Sequence, residues 1–128
     1  MLRVVRLGTP REQGEGLRIG TVRRPPRGVP KADYARLDYY DVWLPTLAPS
    51  AELMAWIKEE AITPARWKTF SQRYRAEMAR PDAAHLLATL AALSQQADFA
   101  VGCYCEDASR CHRSLLRELL QREGAKLA

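Results

Sequence analysis

One segment of the chain, residues 99–120, constrains the fold more than any other. It begins with the apolar run FAVG, continues with CYCEDASRCHR over residues 103–113, and ends with the amphipathic run SLLRELL. An apolar run, a short polar loop and an amphipathic run are typical of a strand, a tight loop and a helix. Such junctions are where α/β proteins bind anions and collect reactive groups. The segment therefore predicts an α/β fold and a site at the loop.

Three more segments are candidate strands. Residues 2–7 and 17–22 have the alternation of strands, and residues 39–44 are either a short strand or an irregular segment. The strand before the cysteine loop spans residues 98–105. Its apolar, small residues 99–104 predict a central strand that is largely buried.

Three helices are expected between the third and the last strand, and a last helix after it. Ser50 is a predicted N-cap for a helix over residues 51–61, and Thr63 followed by Pro64 is a typical start for the second. Asp82 is predicted to cap the third, and a last helix ends before Gly124. Strands separated by helices favour a single small three-layer α/β domain over residues 1–128, with a mainly parallel sheet flanked by helices.

Positive charge is concentrated at the start of the chain. The formal net charge is +5, but residues 1–31 carry eight Arg or Lys against two Glu, a net of +6. Such a segment is a candidate surface for phosphate-bearing partners, or it solvates an exposed loop. No apolar run is long enough for a membrane span or a secretory signal, so we expect no membrane partner. Three clustered cysteines do not make a disulfide framework, and they favour a cytoplasmic setting.

The cysteine loop offers candidate reactive groups. Cys111 falls at the first turn of the last helix, where unpaired N–H groups and the helix dipole stabilise a thiolate. His112 is expected to point inward over the end of the sheet, and Arg113 to have freer access to solvent. A nucleophilic or phosphate-binding site is therefore a reasonable hypothesis for this loop.

Three interpretations of the cysteines compete: an enzyme site, a metal site, and small apolar residues of the core. Metal binding is the weakest of them, because the adjacent side chains of Cys111 and His112 are expected to diverge. We therefore predict no metal and no cofactor. The segment 105–110 also has the cysteine and arginine spacing of sulfur-transfer loops, but Glu106 and Asp107 would repel the anion that such a loop binds.

The pattern Cys-x7-Cys-His-Arg between a strand and a leucine-rich helix resembles domain-of-unknown-function family 488. Its N-terminal part, residues 15–28, is similar to the YeaO-like branch of that family, with five matching residues: Arg18, Arg23, Pro26, Arg27 and Gly28. The family commonly has Glu two residues after the first cysteine, where this chain has Cys105 and places Glu106 one step later. The resemblance implies a small three-layer α/β domain in which the basic loop meets the Cys-His-Arg segment. It implies no activity, because the family is defined as uncharacterised.

These observations lead to one set of candidate site residues. The predicted catalytic residues are Cys111 and His112, the anion-binding residues are Arg113, Arg23, Arg27 and Arg18, and the supporting residues are Cys103, Cys105 and Glu106. The predicted function is an enzyme acting on a phosphorylated or nucleotide-like substrate. The alternative is a non-catalytic nucleotide or nucleic-acid binder that uses the basic segment, with weak and largely sequence-independent binding to nucleic acid.

Overall fold

The structure is a computed structural model that describes residues 1–107 and 110–128. Within them three strands come first along the chain, three α-helices follow, and a fourth strand leads into the fourth α-helix. The strands are β1 (Leu2–Arg6), β2 (Leu17–Gly20), β3 (Val42–Trp43) and β4 (Phe99–Cys103). The helices are α1 (Ala51–Lys58), α2 (Pro64–Met78), α3 (Pro81–Leu93) and α4 (His112–Arg122). No helix in the described residues is both long enough and apolar enough to cross a membrane.

The four strands form one parallel sheet in the order β1-β4-β2-β3. The last strand in the chain, β4, thus lies between the first two, and all five of its residues are buried. This confirms the predicted central strand and the α/β class with a parallel sheet. Because all strands run the same way, the loops that follow β1, β2 and β4 meet at one edge of the sheet, together with the start of α4.

Local sequence explains where two helices begin. The Ser50 hydroxyl accepts a hydrogen bond from the backbone N–H of Leu53, and Thr63 does the same for Arg66, so both predicted caps are confirmed. The prediction for Asp82 was wrong. Arg80 occupies the cap position of α3 without a side-chain hydrogen bond, and Pro81 starts the helix. Proline is favoured at the first helical position because it has no N–H to satisfy, so Asp82 falls inside the first turn.

One face of the sheet packs against the helices. Residues of all four helices join a single apolar cluster with Leu2, Ile19, Phe99 and Val101. The strand register places these four side chains on the same face, since Leu2 pairs with Phe99 and Ile19 with Val101. The tyrosine of α2, Tyr74, is fully buried here and donates a hydrogen bond to the Leu47 carbonyl at 2.8 Å. This face holds the main core.

Connecting chain covers the opposite face. A Cβ atom on Gly20 would lie 2.4 Å from the ring of Tyr40, so the tyrosine lies directly against the strand backbone. Arg18, on the same face, donates hydrogen bonds to the carbonyls of Thr9 and Asp38 in two of the connections. The predicted packing of helices therefore holds for one face, and loops supply the layer on the other.

Candidate functional site

A cavity of about 930 Å³ opens at the edge of the sheet where β1, β2 and β4 end. Its wall contains residues 6–9, 22–27 and 103–105, together with part of α1, Tyr39, Pro49 and His112. The volume is that of an ordinary small-molecule site, which ranges from roughly 300 to 1,000 Å³. We call it the basic cavity because of the side chains described next.

Five basic side chains line the basic cavity: Arg6, Arg23, Arg24, Arg27 and Lys58. None of the described residues in its wall is acidic. Arg23 is held in place by hydrogen bonds from its guanidinium to the carbonyls of Pro45, Ala48 and Pro49. Arg24 and Arg27 are exposed and form no ion pair with the described part of the chain. The cavity therefore offers several positive charges to a ligand.

The rest of the N-terminal basic segment is largely neutralised within the molecule. Arg3 pairs with Glu12, and Arg11 pairs with Asp41 at 2.8 Å and Asp38 at 3.3 Å. The positive excess read from the sequence is thus not spread over an open surface. What remains unpaired is concentrated at the basic cavity.

Arg18 lies outside the basic cavity. Its side chain is only 1 % exposed and it forms an ion pair at 3.0 Å with Glu15, which is 2 % exposed. The remaining guanidinium nitrogens donate to the carbonyls of Thr9, Pro10 and Asp38. All three guanidinium nitrogens therefore donate hydrogen bonds within the protein, and Arg18 stabilises the loops that contain these acceptors.

The three cysteines form a thiol cluster beside the basic cavity. Cys103 and Cys111 are buried, and their Sγ atoms lie 2.7 Å apart. Cys105 is exposed and lines the basic cavity together with Cys103, whereas Cys111 is not part of the wall that the structure describes. The predicted loop between them includes residues 108 and 109, which lie outside the described residues.

His112 connects the thiol cluster to the segment that directly follows β2. Its Nε2 atom lies 2.7 Å from the Thr21 carbonyl oxygen, which can only accept, so Nε2 carries the proton. Burial is the main reason that the pKa of His112 is lowered, and the ring is neutral at pH 7. Its Nδ1 atom is then an unprotonated acceptor, 3.8 Å from Cys111 Sγ. The imidazole points inward as predicted and is set to receive a proton from a thiol.

The negative charge of the thiol cluster is favoured on Cys105. Hydrogen bonding with the Cys103 and Cys111 thiols, followed by the positive charge of Arg113, lowers the pKa of Cys105 to about 2. The pKa of Cys103 is raised to about 11, first by its hydrogen bond with Cys105, and the pKa of Cys111 is raised first by its hydrogen bond with Cys103. The buried pair thus remains protonated and donates, and the exposed sulfur holds the charge.

Arg113 and Glu106 flank the thiol cluster without lining the basic cavity. Arg113 is 7 % exposed and donates to the carbonyl of Cys105 at 2.9 Å, so the expected freer access to solvent was wrong. Its side chain folds back along the loop because the Cys105 carbonyl needs a donor there. Glu106 is exposed and forms an ion pair with Arg6 at 3.3 Å.

The structure also revises the argument about metals. The prediction that the side chains of Cys111 and His112 diverge was wrong, because both turn toward Cys103. Their ligand atoms and Cys103 Sγ all lie within 4.8 Å of one another. Two thiolates on one tetrahedral zinc would lie about 3.7 Å apart, given Zn–S bonds of about 2.3 Å. The Sγ–Sγ distance of 2.7 Å between Cys103 and Cys111 is much shorter, so this pair does not match two thiolates that share one zinc.

Sequence reasoning missed several residues of the basic cavity. Arg6 is the last residue of β1 and Tyr104 directly follows β4, and the rule that parallel strands end at one edge could have found them. Lys58 comes from α1, and nothing in the sequence connects it to the cysteine loop. Tyr39 is brought in by packing against Tyr104, with ring centroids 6.1 Å apart.

The comparisons with known proteins give one result. Residues 2–124 match the family described as the active DUF488-N3 subclade, DUF488-N3a. Neither a curated protein nor a solved structure matches the chain. The match spans nearly the whole sequence, including the basic cavity and the Cys-His-Arg segment, and it confirms the resemblance to domain-of-unknown-function family 488. The chain therefore belongs to the DUF488 family, in its active N3 subclade.

Proposed function

We propose that this protein is an enzyme that acts on a phosphorylated or nucleotide-like substrate, with the Cys105 thiolate as its nucleophile. The observation that carries the proposal is one cavity lined by five basic side chains and by an exposed thiol with a strongly lowered pKa. A thiolate is the reactive form of cysteine, and such sulfurs occur in electropositive, accessible surroundings. The description of the subclade as active is in keeping with this proposal.

The basic side chains supply the anion-binding part of the proposed site. Arg24 and Arg27 have no acidic partner among the described residues, so both guanidinium groups are available for charge-assisted hydrogen bonds to phosphate oxygens. Arg23 is already fixed by backbone carbonyls, which lowers the entropy cost of binding. The rings of Tyr39 and Tyr104 in the wall offer flat apolar surface for a nucleobase or a sugar.

The proposal moves the nucleophile from Cys111, which the sequence predicted, to Cys105. Cys111 is 2 % exposed, and its proton is needed as a hydrogen-bond donor to the charged sulfur. In the proposed reaction Cys105 Sγ forms a bond to an electrophilic atom of the substrate. The departing group leaves with the electron pair of the broken bond, and its negative charge faces the arginines. In this proposal His112 is a reactive group, as the sequence predicted, and its neutral imidazole accepts a proton from a thiol.

The alternative is a binder of nucleotides or nucleic acid without chemistry. The basic side chains would be sufficient for such binding, and so the anion contacts alone do not separate the two functions. A thiol with a strongly lowered pKa is the feature that a simple phosphate clamp does not need. The experiment therefore measures the reactivity of each thiol and the binding of an anion together.

The rate of iodoacetamide alkylation of each cysteine would be measured by peptide mass spectrometry at pH 6, with and without adenosine diphosphate. We expect fast alkylation of Cys105, slow alkylation of Cys103 and Cys111, and protection of Cys105 by the nucleotide. The double variant R24Q/R27Q should lose most of that protection. A matched control, K68Q/R122Q, removes the same two charges from exposed positions outside the basic cavity and should retain it.

Two results would contradict the proposal. Equal protection in the two double variants would show that the nucleotide does not bind through Arg24 and Arg27. Uniformly slow alkylation of all three thiols would favour the binder without chemistry. Protection together with fast alkylation of Cys105 alone would support the enzyme.

A further inference from the structure

Cys103 and Cys111 are placed for a covalent bond to each other. Their Sγ atoms lie 2.7 Å apart, closer than atoms in ordinary van der Waals contact, which is about 3.5–4.0 Å for carbon. A disulfide bond is about 2.05 Å long, so a small movement of two side chains would close the gap. Both residues are nearly inaccessible, at 1 % and 2 % exposure, whereas Cys105 is exposed.

Cys105 provides the route from solvent to this pair. It is exposed and lines the basic cavity beside Cys103, and the two buried thiols lower its pKa. A small oxidant in the basic cavity would therefore react with Cys105 first. The neighbouring thiols would then be in position to displace whatever Cys105 had acquired.

We propose that Cys103 and Cys111 form a reversible disulfide, made by exchange with a small-molecule disulfide through Cys105, and that this bond switches off the reactive thiolate. The switch rests on the function proposed above, because it regulates the same nucleophile. The small disulfide belongs to the class of glutathione disulfide. Its two carboxylate-bearing halves suit a cavity lined by basic side chains.

The exchange balances in three steps. The Cys105 thiolate attacks one sulfur of the external disulfide, and one small thiolate leaves. Cys103 then attacks the sulfur of Cys105, which forms a Cys103–Cys105 bond and expels the second small thiolate, and that thiolate takes the proton of Cys103. Finally Cys111 gives its proton to Nδ1 of His112, 3.8 Å away, and attacks Cys103, so that Cys105 leaves as a thiolate. Two protein thiols are oxidised by two electrons, and one external disulfide is reduced to two thiols.

Oxidation would remove the hydrogen bonds that hold the charge on Cys105. Both donors to its sulfur are the thiols of Cys103 and Cys111, and neither keeps its proton in the disulfide. The thiolate of Cys105 would then be less favoured, and at pH 6 a smaller fraction of it would be charged. Reduction by a small thiol would restore both donors.

The test uses the full-length protein, first reduced and then incubated with glutathione disulfide. Peptide mapping under non-reducing conditions should show a Cys103–Cys111 cross-link, a mass lower by about two hydrogens than that of the reduced protein, and Cys105 free for alkylation. The alkylation rate of Cys105 at pH 6 should fall at least about tenfold and recover on reduction. In C105S the cross-link should form at least about tenfold more slowly, because the buried pair has lost its exposed neighbour.

Several outcomes would overturn the switch. They are a glutathione adduct that persists on Cys105 without a cross-link, a C105S variant that cross-links as fast as the wild type, and one tightly bound zinc per reduced chain that blocks alkylation of all three thiols. Failure here is separable from failure of the proposed function. Nucleotide protection of Cys105 in the reduced protein tests the function alone, and the disulfide map requires no substrate.

Discussion

Replacement of Arg18 by methionine tests whether this residue supports the fold or binds the ligand. Met preserves most of the volume of the side chain and removes its charge and all of its hydrogen bonds. The change leaves the Glu15 carboxylate, 2 % exposed, without its cation, and it leaves the carbonyls of Thr9, Pro10 and Asp38 without their guanidinium donor.

The expected cost follows from this burial. Removal of one partner from a buried ion pair typically destabilises a protein by about 3–5 kcal/mol, because the remaining charge has no compensation. Loss of a donor to the buried carbonyls acts in the same direction. With a urea dependence of about 2 kcal/mol per molar for a chain of this size, the unfolding midpoint should fall by about 2 M. The double variant E15M/R18M should recover part of this loss, since no lone carboxylate remains.

Urea denaturation followed by circular dichroism measures these shifts. R36M is the matched control, because Arg36 is 68 % exposed and its pair with Asp33 is worth at most about 1 kcal/mol. Folded R18M at low temperature should still show nucleotide protection of Cys105. A loss of stability below about 1 kcal/mol would refute this account of Arg18. Intact stability together with lost nucleotide protection would place Arg18 in the anion site.

Three further predictions follow from the same contacts. Burial lowers the pKa of His112, so the unfolded state binds more protons below its ordinary pKa of about 6.5. The free energy of unfolding should therefore fall as the pH is lowered from 7.5 to 5.5. The variant H112Q should flatten this pH dependence, whereas the control H85Q, at an exposed histidine, should retain it. G20A should destabilise the fold by about 1–3 kcal/mol in urea, because its Cβ would meet the ring of Tyr40, and an unchanged midpoint would contradict that packing. The alkylation rate of Cys105 should be nearly constant between pH 5 and 8, because the hydrogen bonds with Cys103 and Cys111 and the charge of Arg113 keep its sulfur charged, and the opposing carboxylate of Glu106 is exposed and paired with Arg6. A rate that rises tenfold per pH unit would contradict this.

The sequence predicted the fold well because its signals are local. The apolar run of β4, the caps Ser50 and Thr63, and the leucines of α4 each specify one element without help from the rest of the chain. The prediction that Arg18 binds an anion did not anticipate its burial, since a charged residue usually faces solvent. Glu15, three residues earlier, was the available signal that this arginine could be buried with a partner.

The site was harder to predict because it depends on distant contacts. The place of the site follows from the strand-loop-helix segment, and Arg23, Arg27, Cys103, Cys105 and His112 do line one cavity. The choice among the cysteines depends on burial and on the hydrogen bonds between their sulfurs, which sequence spacing does not give. Lys58 reaches the cavity only because α1 packs beside the loop after β2.

The most direct test of the central claim is a crystal structure of the reduced protein soaked in pyrophosphate. The account predicts that the anion binds in the basic cavity, with its oxygens in hydrogen-bond contact with Arg24 or Arg27 and within a few ångströms of Cys105 Sγ. A structure in which pyrophosphate occupies other surface sites and leaves this cavity filled only with water would contradict it.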